Sequence, residues 1–256
     1  MDGGEPPDYS PHQHLQLELP SQAGTAARRT LQERPAISVV LAGSAAERAL
    51  YPSMSSWQLV LDALAHQHPD AAICLIGKLG DDGRTTSRVG RPELERLVTG
   101  MPRAIDCFDR PLLEQQAIVE ASALYVSPHT GFGFAAVAVG TPWLSISGGR
   151  WHEYFFNGVP FYAVLPDTNR YPCFDWTGPL PLLEADDDGE GPRTPSMSAA
   201  RIRDDLPELL HGAELLIDQR LGYEDALRNY FPCLLTANKG ERSRIFSFDG
   251  IDAAYL

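Results

Sequence analysis

The twenty residues Ala123 to Pro142 constrain this chain most. A short apolar run, Leu124-Tyr125-Val126, ends in the small glycine-bearing loop Ser127-Pro128-His129-Thr130-Gly131. A stretch of small residues, Ala135 to Val139, follows, and Gly140-Thr141-Pro142 turns the chain into a second apolar run, Trp143 to Ile146. Strand, loop, helix, turn and strand fit into so few residues only as one unit of a parallel sheet with its crossover helix. Glycines let the backbone approach a ligand closely. Unpaired N–H groups at a helix start attract an anion, so the loop is expected to face a phosphate.

The same alternation begins at Ala36. Ile37–Leu41, Ala72–Ile76 and Ala104–Cys107 read as strands; Ser56–His66, Pro92–Val98 and Leu112–Ala121 read as helices, the first with Trp57, Val60, Leu61 and Leu64 on its apolar face. Apolar strands alternating with helices imply a doubly wound α/β fold, with the sheet covered on both sides. Ligands of such sheets bind beyond the carboxyl ends of the strands. The loops that begin at Gly43, Gly77, Ser127 and Ser147 are therefore expected to share one rim.

Outside this unit the pattern weakens. Residues 1–35, rich in proline and glutamine, are expected to be a disordered leader, and its His12-Gln13-His14 carries no metal prediction. Phe161–Leu165 reads as a further strand, and Glu184–Arg193, with Asp186-Asp187-Asp188, as a solvated loop. A helix is expected to start at Asp205-Leu206-Pro207, because proline suits a first helical turn. Tyr223–Phe231 reads as one more helix. The domain is thus placed at 36–235, with 236–256 as a tail.

Bulk properties exclude some functions. The 256 residues carry 34 acidic and 21 basic side chains, a net charge of −13, which argues against a general nucleic-acid or anionic-membrane binder. The four cysteines, Cys74, Cys107, Cys173 and Cys233, form no CxxC pair, and a reducing cytoplasm fits them best. No apolar stretch is long enough to span a membrane, and no signal peptide is evident. No Gly-x-Ser-x-Gly elbow supports a hydrolase.

The Ser127–Pro142 motif resembles the nucleotide-sugar-binding half of GT-B glycosyltransferases, and most of all glycosyltransferase family 9, the heptosyltransferases. In that family a strand leads to an Asp-Ser/Thr-Gly loop, a helix of alanines and Gly-Thr-Pro. The counterparts here are His129-Thr130-Gly131, Ala135–Val139 and Gly140-Thr141-Pro142. Val39–Ser44, the pair Tyr51-Pro52 with the Trp57 helix, and Tyr171-Pro172-Cys173-Phe174 are similar to other family segments, so the resemblance covers residues 36–220. Three positions depart from it. His129 replaces the loop aspartate, Phe134 replaces a histidine, and Arg48 stands one position from the family's lysine.

The resemblance implies a single Rossmann-like sheet, one half of a GT-B fold, that binds a nucleotide diphosphate sugar and passes the sugar to an acceptor hydroxyl. It implies no cofactor beyond that donor and no metal. Gly43, Ser44, Ser127, Thr130, Gly131 and Gly133 are the candidate phosphate-binding residues. Lys78 and Arg150 are candidate cations for the leaving diphosphate, and Trp151 and His152 candidate lining for the sugar or base. His129 is a candidate ligand contact and the one weak candidate for acid–base catalysis. Asp81-Asp82 make no convincing metal pair. The acceptor domain of the family has no counterpart ahead of residue 36, and the sequence identifies no catalytic base: a partner subunit or the leader supplies it, or none exists, and the partner expected is an acceptor-domain subunit or a second copy in a homo-oligomer. A noncatalytic nucleotide- or partner-binding module that keeps the fold is the alternative.

Overall fold

The computed structural model describes residues 16–44, 48–80, 86–148, 158–174, 182–186, 189–240 and Tyr255. Six strands form one parallel sheet: β1 (Ala36–Val40), β2 (Ala72–Ile76), β3 (Ala104–Asp106), β4 (Leu124–Pro128), β5 (Trp143–Ile146) and β6 (Phe161–Val164), in the spatial order β3-β2-β1-β4-β5-β6. Every residue of β1, β2, β4 and β5 is buried. That is the burial expected of parallel strands covered on both faces, and it explains their unbroken apolar sequences.

Among the described residues seven α-helices pack around the sheet: α1 (Ser21–Leu31), α2 (Met54–Gln67), α3 (Arg91–Gly100), α4 (Leu112–Glu120), α5 (Gly133–Val139), α6 (Ala199–Ile217) and α7 (Tyr223–Ala237). Helices α1, α4 and α5 make one layer, α2, α3 and α6 the other, and α7 lies against β6. The hydroxyl of Ser53 caps α2 by accepting the Ser56 N–H. Trp57 is then fully buried, its indole N–H donating to the Leu41 carbonyl at 2.8 Å. Gly140, at φ 80°, ends α5 in the left-handed region that glycine adopts without strain.

Four segments differ from their sequence reading. Residues 21–31 are helical, not a disordered leader: Ala27 and Leu31 are buried, and Arg110 of the α4 approach donates to Thr30 at 2.8 Å. Packing on α4 supplies what the local composition lacks. Helix α6 starts at Ala199, capped by the Ser198 hydroxyl, and carries Pro207 in its interior. Pro207 is exposed, so water can serve the carbonyl that its missing N–H leaves unpaired. Helix α7 continues to Ala237, beyond the expected end at Phe231.

The fourth segment is 184–193. Strands β7 (Glu184–Ala185) and β8 (Pro192–Arg193) pair antiparallel, and the carboxylates of this arm are not simply solvated. Asp186 accepts the Ala199 N–H at the start of α6 at 3.0 Å. Glu190 accepts the N–H groups of Met54 and Ser55 at the start of α2, both at 2.8 Å. One acidic arm thus caps two helix N-termini, where negative charge is favoured. Residues His12 to His14, Asp187 and Asp188 lie outside the described residues.

Candidate functional site

The strand order reverses between β1 and β4: β2 and β3 extend the sheet to one side of β1, and β4, β5 and β6 to the other. The crevice at that reversal, beyond the carboxyl ends of the strands, is where ligands of such sheets bind. Two predicted loops meet there. A Cβ on Gly43 would stand 2.8 Å from the Tyr51 hydroxyl and 3.2 Å from Thr130 Cγ2. Only glycine allows the loop after β1 to close on the loop after β4. The Gly43 carbonyl accepts the Arg88 N–H at 3.1 Å, and the Lys78 carbonyl and N–H are both paired with Ser87. Residues 87–88 therefore tie the β1 and β2 loops into one rim.

The predicted residues take different places on this rim. Ser44 is exposed and Lys78 half-buried at the end of β2. Thr130 is buried against Gly43. Gly131 is exposed, a Cβ there would meet nothing within 4 Å, and its N–H takes part in no hydrogen bond among the described residues. The space on its Cβ side is open. Arg150, Trp151, His152, Asp81 and Asp82 lie outside the described residues.

Two positions sit beneath the rim instead. Ser127 is fully buried in β4, and its hydroxyl accepts the Trp143 indole N–H at 3.0 Å, which spends it on the core. Gly133 is buried where a Cβ would run into the six-membered ring of Trp143. It is a glycine for packing, not for ligand approach. Helix α5 has only seven residues, so its dipole adds little to the loop's anion affinity.

His129 also differs from its sequence reading. It is 9 % exposed, its Nε2 lies 3.3 Å from the Ser147 hydroxyl, and its ring meets Trp143 edge-on with centroids 6.3 Å apart. Burial pushes its pKa down to about 3. A histidine held neutral across the physiological range donates or accepts one hydrogen bond but does not serve as a proton shuttle near pH 7. In this setting His129 is a neutral hydrogen-bonding residue beneath the rim.

Sequence reasoning missed Arg201 on α6. It is fully buried; it donates to the Ser147 and Val164 carbonyls at 3.2 and 2.8 Å and pairs with Asp205 at 2.6 Å. It thereby ties together the carboxyl ends of β5 and β6. The reading that began α6 at Asp205 left Arg201 outside any element. Also unanticipated is a cavity of about 450 Å³ beside the rim, bounded by Ala42, Arg48, Tyr51, Arg88, Arg96 and Arg193 among others. Among the described residues no cluster of His, Cys, Asp and Glu is disposed to hold a metal, and no helix is long and apolar enough to cross a membrane.

No protein-family model matches the sequence, and no curated protein matches it either. Solved structures do. The glycosyl transferase family 9 protein of Veillonella parvula DSM 2008 superposes with a TM-score of 0.53 at 12 % identity, over 81 % of this chain and 55 % of that one. The chain has a glycosyltransferase-like fold. It also aligns with the ADP-heptose lps heptosyltransferase II of E. coli (TM-score 0.49, 15 % identity, 78 % of this chain and 54 % of that one). The E. coli heptosyltransferase WaaC follows (TM-score 0.42, 13 % identity, 74 % and 48 %). The chain spans about half the length of the structures it matches. The sheet is a Rossmann-like parallel sheet with the Gly43 and Thr130 loops at its switch point.

Proposed function

We propose that this chain is the donor-binding half of a glycosyltransferase and takes a nucleotide diphosphate sugar across the rim between the Gly43–Ser44 and Thr130–Gly131 loops. The observation that carries the proposal is the closure of these loops on each other at the strand-order reversal, with Gly131 exposed beside them. In this reading the Gly131 N–H and the Ser44 hydroxyl bind the diphosphate. Lys78 stabilises the charge that develops on it as an acceptor hydroxyl attacks the anomeric carbon and the nucleoside diphosphate leaves. His129, neutral and buried, holds the loop through Ser147 and Trp143. The base that deprotonates the acceptor comes from an acceptor-domain subunit or a second copy, in a cytoplasmic setting.

One observation favours the alternative of a noncatalytic binding module. Phe134, where the resembling family has a histidine, is 51 % exposed beside the loop and supplies apolar surface in place of a proton donor. Thermal unfolding against a panel of nucleoside diphosphates and nucleotide sugars tests the proposal, because a ligand that binds only the native state raises its stability by mass action. A shift with one base and one sugar supports donor binding; sugar release from that donor, seen only with an added acceptor, supports transfer. No shift with any member of the panel refutes the donor reading.

A further inference from the structure

Arg201, in the first turn of α6, is a charged side chain with no exposed surface. Taking a guanidinium out of water is costly, and a single carboxylate partner repays that cost only where the remaining N–H groups are also satisfied. Here they are satisfied in part. The Arg201 Nε donates to Asp205 at 2.6 Å, while Nη1 has no hydrogen-bond partner among the described residues. An apolar side chain would fill this place at lower cost. What Arg201 contributes is the position of the backbone it bonds.

Those bonds converge on Ser147. Nη2 donates to the Ser147 carbonyl at 3.2 Å and to the Val164 carbonyl at 2.8 Å, and the same Val164 carbonyl accepts the Ser147 N–H at 3.1 Å. Both backbone groups of Ser147 are thus held from α6. The next residue is held from the same side: the Ser196 hydroxyl donates to the Gly148 carbonyl at 2.8 Å, and a Cβ on Gly148 would run into the Met197 side chain. In the other direction the Ser147 hydroxyl lies 3.3 Å from His129 Nε2, and Thr130, the next residue in the chain, closes on Gly43. A continuous polar row, Asp205–Arg201–Ser147–His129, therefore runs from α6 to the loop after β4, and all of it but Asp205 is buried.

We infer that Arg201 is a positioning residue for the rim: through Ser147 it holds His129, and with it the Thr130–Gly131 backbone, in the place that receives the donor's diphosphate. Arg201 touches no ligand itself. The ligand's identity rests on the donor reading above, whereas the path from α6 to the loop does not. The role requires an arginine, because Nε serves the carboxylate while Nη2 serves two carbonyls, a division that one lysine ammonium does not reproduce.

Heteronuclear NMR of the full chain, titrated with inorganic pyrophosphate, tests this in three variants. Arg201→Lys breaks the path at α6. Ser147→Ala removes only a hydroxyl and breaks it at His129. Leu209→Ala takes buried apolar volume from further along α6 and leaves the path intact. The expected result is that the Gly131 amide and His129 ring resonances shift in Arg201→Lys and Ser147→Ala but not in Leu209→Ala. Pyrophosphate should bind about fivefold more weakly to the first two, a loss of the size found for substitutions that touch no ligand. Unmoved Gly131 resonances in Ser147→Ala overturn the inference, whether or not Arg201→Lys folds. Equal shifts in all three variants also overturn it, since they would make Arg201 one more packing residue of α6. Resonances that move as expected in a protein that binds no pyrophosphate uphold the path and count against the donor reading.

Discussion

Replacing His129 with glutamine removes a buried imidazole whose ionisation the fold opposes. In the unfolded chain this group titrates near its ordinary value of 6.5, and in the native protein at about 3. Between those values the unfolded state holds a proton that the native state does not, so native stability rises with pH through this window and is complete above it. Below pH 6.5 each further unit costs about 1.4 kcal/mol, so lowering the pH from about 7.5 to about 5 should cost about 2 kcal/mol through His129 alone. His68, also held below its ordinary value by burial, is present in both proteins and cancels in the comparison. Urea unfolding of the unaltered protein and of His129→Gln at both pH values measures the difference. The unaltered protein should lose about 2 kcal/mol more than the variant over this range. Parallel pH dependences, or a His129 imidazole that titrates near 6.5 by NMR, would refute the argument that burial holds it neutral.

Two other substitutions separate packing from ligand binding. Gly133→Ala places a methyl against the Trp143 ring and should destabilise by about 1–3 kcal/mol, read as a lower Tm, whereas Gly131→Ala meets open space and should leave Tm within error. Glu190→Gln halves the acceptor that holds the Met54 and Ser55 N–H groups and removes a charge at the start of α2. It should cost about 1 kcal/mol at neutral pH, a fall of about 2–4 °C in Tm. The Glu190 carboxyl is held below its ordinary value chiefly by the bonds from Ser55 and Met54, against a burial effect that acts the other way. Its contribution is therefore present above the usual glutamate range and lost as pH falls through the lowered value, so the two proteins should converge in acid.

Strands and crossover helices were legible because their signals are local. The apolar runs at β1, β2 and β5 and the Trp57 face of α2 carry the periodicity that burial demands, and the structure places them within two residues of the sequence reading. What failed depended on distant partners. Nothing near residues 21–31 announces α4, which buries Ala27 and Leu31. Pro207 reads as a helix start only until Ser198 is seen to cap α6 and Arg201 to reach the ends of β5 and β6.

The candidate site divides the same way. Gly43, Thr130 and Gly131 were legible because a glycine-bearing strand end in an α/β sheet has one place to go. Ser127, His129 and Gly133 share that loop, but their burial beneath Trp143 is set by β5. The Glu190 cap joins residues 135 apart, as the Arg48–Arg193 contact does with 145. No local pattern encodes them.

The claim that the rim between Gly43 and Gly131 holds a nucleotide diphosphate is tested most directly by calorimetric binding of the nucleoside diphosphate that gives the largest melting shift, measured for the unaltered protein and for Gly131→Val. A Cβ at 131 meets no protein atom within 4 Å, so the variant should fold with an unchanged Tm while its side chain fills the space above the loop. Saturable binding in the unaltered protein, reduced at least about tenfold in the variant, is the predicted result, a change worth about 1.4 kcal/mol. Equal affinity in the two proteins would contradict it.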